Sequence, residues 1–171
     1  MGDVDPGETV ADPRTIAQRG RFAIGAGPDG ELIGLIRSAS GDPDDYRTES
    51  GEWLWRELLT GDSQAAAETY RAVCDCGVVE REDRPGSYLV TSQDYLRAGI
   101  TPLDPTGGDA PIWLGFVRVG DVEAATARAE GLGARIRVEP KSDVMDGNLS
   151  VIFDPVGAAI ALLGWDYEES P

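Results

Sequence analysis

The side chains that could carry chemistry in this sequence are carboxylates, tyrosines and a single lysine, because its 171 residues include no histidine. Histidine is the usual general base near neutral pH and the commonest ligand of zinc, copper and non-haem iron. Nucleophiles activated by histidine and HExxH zinc sites are therefore excluded. Acid–base chemistry would fall to a carboxylate, a tyrosine or Lys141, and a metal site would need the oxygen ligands that magnesium, calcium or manganese accept.

The surroundings of Glu57 in the sequence are compatible with a role in catalysis or in ligand binding. The segment Trp53-Leu54-Trp55-Arg56-Glu57 reads as a strand, in which alternation puts both indoles and Glu57 on one face. A partly buried carboxylate among aromatic rings could orient a cation or act as a weak base, so Glu57 is the candidate catalytic residue. The alternative is that the rings fill a core and Glu57 pairs with an arginine such as Arg118.

Three other motifs predict no site. Residues 25–30 match GxGxxG, but a strand follows them, so a hairpin turn is favoured over a dinucleotide site. Cys74 and Cys76 are too close together in the sequence to form a disulfide that stabilises the fold, and their spacing is not that of zinc ligands. Residues 42–45 (DPDD) lack the spacing of a calcium loop. None of these three motifs therefore predicts a metal or a cofactor.

Charge and hydropathy limit the partners. Asp and Glu number 31 against 15 Lys and Arg, which gives a net charge of −16. A field of this sign repels phosphate backbones and anionic membranes, so neither nucleic acid nor membrane is an expected partner. No apolar run approaches the roughly 18 residues of a membrane span, and the acidic start does not resemble a signal peptide. We expect an acidic, cytoplasmic protein whose partner is a small molecule.

Local patterns predict two helices and a series of short strands. Asp62 and Asp121 each follow a glycine and precede an alanine-rich segment, which is typical of an N-cap and of a helix that packs closely on a sheet. The helices are predicted over residues 62–74 and 122–132. Apolar segments between turn residues predict strands at 21–26, 31–37, 53–59, 78–82, 87–92, 95–100, 112–119, 135–138, 149–154 and 158–163.

This order of elements repeats. Gly61-Asp62 recurs as Gly120-Asp121, and the turn Pro28-x-Gly30 recurs as Pro155-x-Gly157. The predicted class is α+β, with two paired βαβββ modules forming a curved mixed sheet around a cavity, preceded by an extra β-hairpin. The predicted divisions are a flexible tail (1–19), a hairpin and linker left from a preceding module (20–50), a domain of two βαβββ units (51–101 and 111–165) and a second tail (166–171).

These motifs resemble those of a known superfamily. The Trp53–Asp62 segment, Gly120-Asp121, Leu132-Gly133-Ala134 and the turn at residues 154–158 are similar to the vicinal oxygen chelate proteins, which include glyoxalases, bleomycin-resistance proteins and extradiol dioxygenases. The resemblance implies metal-ligand positions at Trp55, Leu114 and Ala161, where this sequence has no ligating side chain. It therefore implies a member that binds a small molecule without a metal.

The predicted function follows from that comparison. Strand alternation gives a ligand-binding site lined by Trp53, Trp55, Glu57, Leu114, Phe116, Arg118 and Ala161. We expect a metal-free protein of the glyoxalase and bleomycin-resistance type that sequesters an aromatic or antibiotic-like ligand. The alternatives are a lyase or isomerase with a carboxylate site around Glu57, and a degenerate structural module, so enzymatic activity is left open. Because family members pair modules between chains, the resemblance also implies a homodimer.

Overall fold

The structure is a computed structural model and describes residues 9–41, 44–103 and 110–167. The described residues form an α+β fold, mostly of strands, as the sequence predicts. Among their helices, none has the length and apolar character needed to cross a membrane. In chain order the elements are β1 (Thr9–Ile16), β2 (Gly20–Ala26), β3 (Leu32–Ser38), β4 (Trp53–Thr60), α1 (Ser63–Cys74), β5 (Gly77–Glu80), β6 (Tyr88–Ser92), β7 (Tyr95–Pro102), β8 (Ile112–Val119), α2 (Val122–Gly131), β9 (Arg135–Val138), a 3₁₀ turn (Met145–Gly147), β10 (Leu149–Phe153) and β11 (Ala159–Gly164).

The chain divides into two compact units. The first joins the described residues up to Tyr46 with Leu58–Trp113, and the second joins Arg47–Glu57 with the described residues from Leu114 onward. Strands β4 and β8 therefore each contribute residues to both units. The two predicted β-α-β-β-β runs are confirmed as β4-α1-β5-β6-β7 and β8-α2-β9-β10-β11.

In the first unit, α1 packs on strands that follow the order β5-β6-β7-β4. The helix begins where the Asp62 carboxylate accepts a hydrogen bond from the Ala65 N–H (2.9 Å), and it ends at Asp75, whose backbone is left-handed. Two alanines of α1 bring it close to the sheet, because their small side chains leave the helix backbone near the strands. The fully buried core is Leu58, Ala66, Ala67, Tyr70 and Ile100.

The second unit has the strand order β4-β8-β11-β10-β9. Its sheet is mixed, because β8 and β11 are parallel whereas β10 pairs antiparallel with both β11 and β9. The Asp121 carboxylate caps α2 by accepting from the Ala124 N–H (2.8 Å). The helix then buries Val122 against Ile152 and Leu162.

The prediction of a flexible tail over residues 1–19 is wrong where the structure describes that segment. Thr9–Ile16 forms β1, which pairs antiparallel with β2 and turns the predicted hairpin into a three-stranded sheet, β1-β2-β3. Pro13 and the polar composition concealed this strand, and the pairing accommodates them through irregularities in register between Thr9 and Arg14. Residues 1–8 lie outside the described part of the chain.

The turn between β2 and β3 is attached to the start of α1 by one carboxylate. Asp29 Oδ2 accepts hydrogen bonds from the Thr60 hydroxyl, from the Gly61 N–H (2.7 Å) and from the Asp62 N–H (3.0 Å). These bonds favour the charged carboxylate and hold the pKa of Asp29 below its usual value, with the Thr60 hydroxyl contributing most. The turn is thereby held in place by an anion bound at backbone donors.

We expect Asp29→Asn to lower the free energy of unfolding by about 1 kcal/mol at pH 7, because exposure to solvent screens the bonds that it weakens. A carboxyl whose pKa is lowered on folding stabilises the protein above its unfolded pKa, and that contribution is lost as the pH falls through the folded pKa. Urea denaturation between pH 2 and 7 should therefore show a steeper acid loss in the parent than in Asp29→Asn. Asp12→Asn, on exposed β1, is the control. An equal acid loss in Asp29→Asn and the parent would contradict the assignment.

Candidate functional site

Four of the predicted site residues lie on one side of β8 and β11. The parallel register sets Ala161 beside Phe116 and Leu163 beside Arg118, and alternation along β8 adds Leu114. We call the surface formed by Leu114, Phe116 and Ala161 the apolar face. Leu114 is 7% exposed and Ala161 0%, whereas Phe116 is half-buried.

The opposite side of the same strands is occupied by α2. Ile160 and Leu162 alternate with Ala161 along β11, and both pack in the cluster that Val122 of α2 forms with Ile152. The helix therefore accounts for the burial of one side of the sheet, and the apolar face lies on the side away from α2.

Trp55 and Glu57 contact each other directly. They are two residues apart in β4, so alternation puts them on the same side of the strand. The Trp55 indole Nε1–H donates to Glu57 Oε2 over 2.8 Å, and both side chains are half-buried. This bond fixes the orientation of the carboxylate, which is required of any carboxylate that orients a ligand or moves a proton.

Trp53 does not lie on the apolar face. A Cβ built on Gly115 would be 2.6 Å from the Trp53 ring, so the ring lies against the side of β8 opposite to Leu114 and Phe116. Gly115 is in register with Ile160, which packs with α2. The missing side chain of Gly115 makes room for the indole, and Trp53 remains 60% exposed. The expectation that Trp53 shares the face of Leu114 is wrong for this reason.

Arg118 is held by backbone oxygens and an aromatic ring. Its Nε donates to the Trp165 carbonyl and its Nη1 to the Thr48 carbonyl, each over 2.7 Å. Its Cζ lies 5.0 Å from the centre of the Tyr167 ring, a cation–π arrangement. The guanidinium therefore fastens the segment after β11 to the segment before β4, a structural role that the sequence analysis did not anticipate.

Tyr167 is the residue of this region that sequence reasoning missed. It lies in the predicted tail 166–171, yet its hydroxyl accepts a hydrogen bond from the Thr48 N–H (2.9 Å) and its ring also faces Arg47. An aromatic residue shortly after the last strand was the available signal, because tyrosine is uncommon in a fully solvated tail. Residues 168–171 lie outside the described part of the chain.

The residues at the expected metal-ligand positions do not fit a metal ion. Leu114 and Ala161 end in carbon atoms, and Trp55 offers an N–H donor that Glu57 already accepts. Hard divalent cations require several oxygen ligands, and softer ones require nitrogen or sulfur. Over residues 9–41, 44–103 and 110–167, no group of three or more acidic or cysteine side chains is arranged to hold an ion.

Comparison with known proteins identifies the family. A family model described as the "Glyoxalase/Bleomycin resistance protein/Dioxygenase superfamily" matches residues 54–162, which is well over half of the chain. The chain belongs to this superfamily. The match begins in β4 and ends in β11, so it spans both β-α-β-β-β runs and all of the predicted site residues except Trp53.

Two curated proteins are similar to this chain along most of its length. The chain is 27% identical over 158 residues to the Mycobacterium bovis protein named "Putative glyoxylase CFP32", covering 92% of this chain and 60% of that protein. It is also 27% identical over 158 residues to the "Anthracycline biosynthesis protein DauV" of a Streptomyces strain, covering 92% of this chain and 57% of that protein. The chain thus spans less than two thirds of the length of these relatives.

A solved structure supports the superfamily fold. The Mn(II)-bound glyoxalase from Novosphingobium aromaticivorans aligns with a TM-score of 0.54 and 16% sequence identity, over 92% of this chain and 54% of that one. At this identity the likeness shows the fold alone. The α+β fold and the superfamily are therefore established.

Proposed function

We propose that this chain binds an aromatic or otherwise apolar small molecule on the apolar face, and that it holds the ligand without a metal and without chemical change. The observation that carries the proposal is the chemistry of Leu114 and Ala161. Both are buried, both end in carbon, and Ala161 is in register with Phe116. The accessible part of this face belongs to Phe116, where ligand burial contributes about 25 cal/mol per Å², and the face offers nothing that could polarise a carbonyl group.

The exposure of Phe116 and one relative support the ligand class. Phe116 is half-buried, so part of its ring remains accessible for stacking on a planar ligand. DauV is named for anthracycline biosynthesis, and anthracyclines combine a planar aromatic ring system with an amino sugar. We therefore choose a planar aromatic molecule with an amino group as the probe.

Titration with doxorubicin, an anthracycline, should raise the Tm and quench tryptophan fluorescence. About 0.3 M salt is included so that the net charge of −16 does not retain the amine non-specifically. Neither Mn²⁺ nor EDTA should change the affinity. Phe116→Leu should weaken binding about tenfold, as loss of an aromatic anchor does, whereas the matched Phe22→Leu, in the separate β1-β2-β3 sheet, should bind like the parent.

Two outcomes would overturn this function. One is a rise in Tm with Mn²⁺ that EDTA reverses, since it would show a metal site. The other is equal weakening by Phe22→Leu and Phe116→Leu, since binding would then not depend on the apolar face. No doxorubicin binding to the parent would remove planar aromatic molecules with an amino group as the ligand class.

A second candidate, a lyase or isomerase, is favoured by one observation. The indole N–H of Trp55 orients the Glu57 carboxylate, and a general base must be positioned in this way. The protein can be incubated with methylglyoxal and a small thiol while product formation is followed. Turnover by the parent that falls at least about a hundredfold in Glu57→Gln would support this candidate, whereas no turnover by either protein favours binding alone.

A further inference from the structure

Two exposed arginines lie side by side on one side of the β1-β2-β3 sheet. Arg21 of β2 is directly opposite Arg37 of β3, in an antiparallel register that runs without a break. Like charges at directly opposed positions of a sheet are destabilising. No hydrogen bond or ion pair joins either guanidinium to another residue in the described part of the chain. The pairing is notable because acidic residues outnumber basic ones about two to one, and the charge is −16.

The same side of the sheet forms the floor of an apolar groove. Register places Ala23 opposite Leu35 and Gly25 opposite Ile33, on the side that Arg21 and Arg37 share. Val73 of α1 forms part of the wall. We call this space the arginine groove. Its open part, about 350 Å³, reaches Arg21 and Arg37, and its inner part is a cavity of about 90 Å³ lined by Ala23, Ile33, Leu35, Thr69, Tyr70 and Val73.

The dimensions and charges of the groove select the ligand. An apolar cavity of about 150 Å³ holds benzene, so the inner part at about 90 Å³ is too small for an aromatic ring and accepts only the end of a narrow alkyl chain, whose other carbons would lie in the open part. Two adjacent guanidiniums bind a carboxylate strongly, since each can donate two parallel hydrogen bonds. A bound anion would also relieve the repulsion between Arg21 and Arg37.

We propose that the arginine groove binds a small amphipathic carboxylate, the end of whose alkyl chain enters the inner cavity while its carboxylate lies between Arg21 and Arg37. This site lies in the first unit and is independent of the apolar face. It differs from the proposed function in ligand shape and in the sign of the ligand charge.

Calorimetric titration of the whole chain with octanoate tests the proposal. Octanoate should bind and raise the Tm, and octylammonium and octan-1-ol should bind at least about tenfold more weakly, because they lack the charge that the two arginines recognise. Arg21→Gln and Arg37→Gln should each weaken octanoate about tenfold. The matched control is Arg14→Gln, which removes the same charge from the other side of the sheet, where Arg14 is opposite Phe22.

Further variants locate the alkyl chain and separate the two sites. Ala23→Leu should fill the inner cavity and weaken octanoate, with circular dichroism confirming that the variant is folded. Phe116→Leu, which alters only the apolar face, should bind octanoate like the parent. Equal binding of octylammonium, an equal loss in Arg14→Gln, or unchanged octanoate binding in Arg21→Gln and Arg37→Gln would overturn the proposal.

Light scattering tests whether a second chain occupies the groove instead. A homodimer that dissociates in Arg21→Gln and in Arg37→Gln, but not in Arg14→Gln, would show that a second copy covers the arginine groove and would overturn the carboxylate assignment. A monomer, or a dimer unaffected by these substitutions, supports it.

Discussion

Replacing Tyr70 by Phe should lower the free energy of unfolding by about 3 kcal/mol at pH 7. The Tyr70 hydroxyl is buried between two partners: it donates to Glu31 Oε1 over 3.1 Å and accepts from the Trp113 indole N–H over 3.3 Å. Glu31 is only 5% exposed, and its carboxylate otherwise receives the Asp29 N–H (3.2 Å). Loss of the hydroxyl leaves a buried carboxylate without its main donor, and this accounts for the size of the effect.

Urea denaturation measures this loss against a matched tyrosine. Tyr88 is half-buried against the same core, and Tyr88→Phe should change the stability by less than about 0.5 kcal/mol. Glu31→Gln should cost less than Tyr70→Phe, because an amide still offers an oxygen to the Tyr70 hydroxyl. Equal losses in Tyr70→Phe and Tyr88→Phe would show that the hydrogen bond to Glu31 contributes little.

The pH dependence gives a second readout of the same group. Burial, followed by the nearby Glu31 charge, raises the pKa of Tyr70 well above the usual value of about 10. Above that pH the unfolded chain releases the phenolic proton while the folded chain retains it. The stability is therefore fully present below about pH 10 and falls as the pH rises further. In Tyr70→Phe this part of the alkaline loss should disappear.

Gly20→Ala should cost about 2–4 kcal/mol, because the backbone itself excludes a side chain there. Gly20 has a φ of +116°, and a Cβ would lie 2.0 Å from the Arg37 carbonyl oxygen and 2.8 Å from the Ala39 nitrogen. Both atoms belong to the backbone, so the clash cannot be relieved by rotating a side chain. The strands β2 and β3 must separate at their first pair, Gly20 and Ser38.

A second glycine separates the clash from the cost of the backbone conformation. Gly30 also has a positive φ of +83°, but a Cβ there would meet no atom within 4 Å. Gly30→Ala should therefore lose only about 1 kcal/mol, the cost of a left-handed alanine. The free energies of unfolding of the two variants, measured by urea denaturation, should differ by at least about 1 kcal/mol. An equal loss would show that the backbone of β3 moves to accommodate the new methyl group.

The helices and most strands were predictable because their signals are local. An aspartate that follows a glycine and precedes alanines defines a helix start within a few residues, and α1 and α2 begin where Asp62 and Asp121 predict. The predicted helix ends are within one residue of those observed. The superfamily was also recognisable from the repeated motifs, because each repeat preserves the turn and cap residues that its backbone requires.

The site was only partly predictable. Alternation predicted that Leu114 and Phe116 share one side of β8, and the parallel register sets Ala161 beside Phe116 on that side, but whether these residues bind a ligand stays a prediction. Alternation failed for Trp53, whose ring occupies the space left by Gly115 on a neighbouring strand. It also failed to anticipate that the Arg118 donors are engaged by the carbonyls of Thr48 and Trp165. Both outcomes depend on residues far away in the sequence.

By itself, the sequence determined the superfamily, the order of helices and strands from β2 to β11, and the absence of ligating side chains at Trp55, Leu114 and Ala161. The tertiary structure decided that residues 9–16 add a strand, that Asp29 docks its turn at α1, and that Arg21 and Arg37 are directly opposite. The physical reason is the range of the interactions. Caps, turns and alternation act over a few residues, whereas an edge strand, a docked carboxylate and an opposed charge pair exist only once distant segments have been brought together.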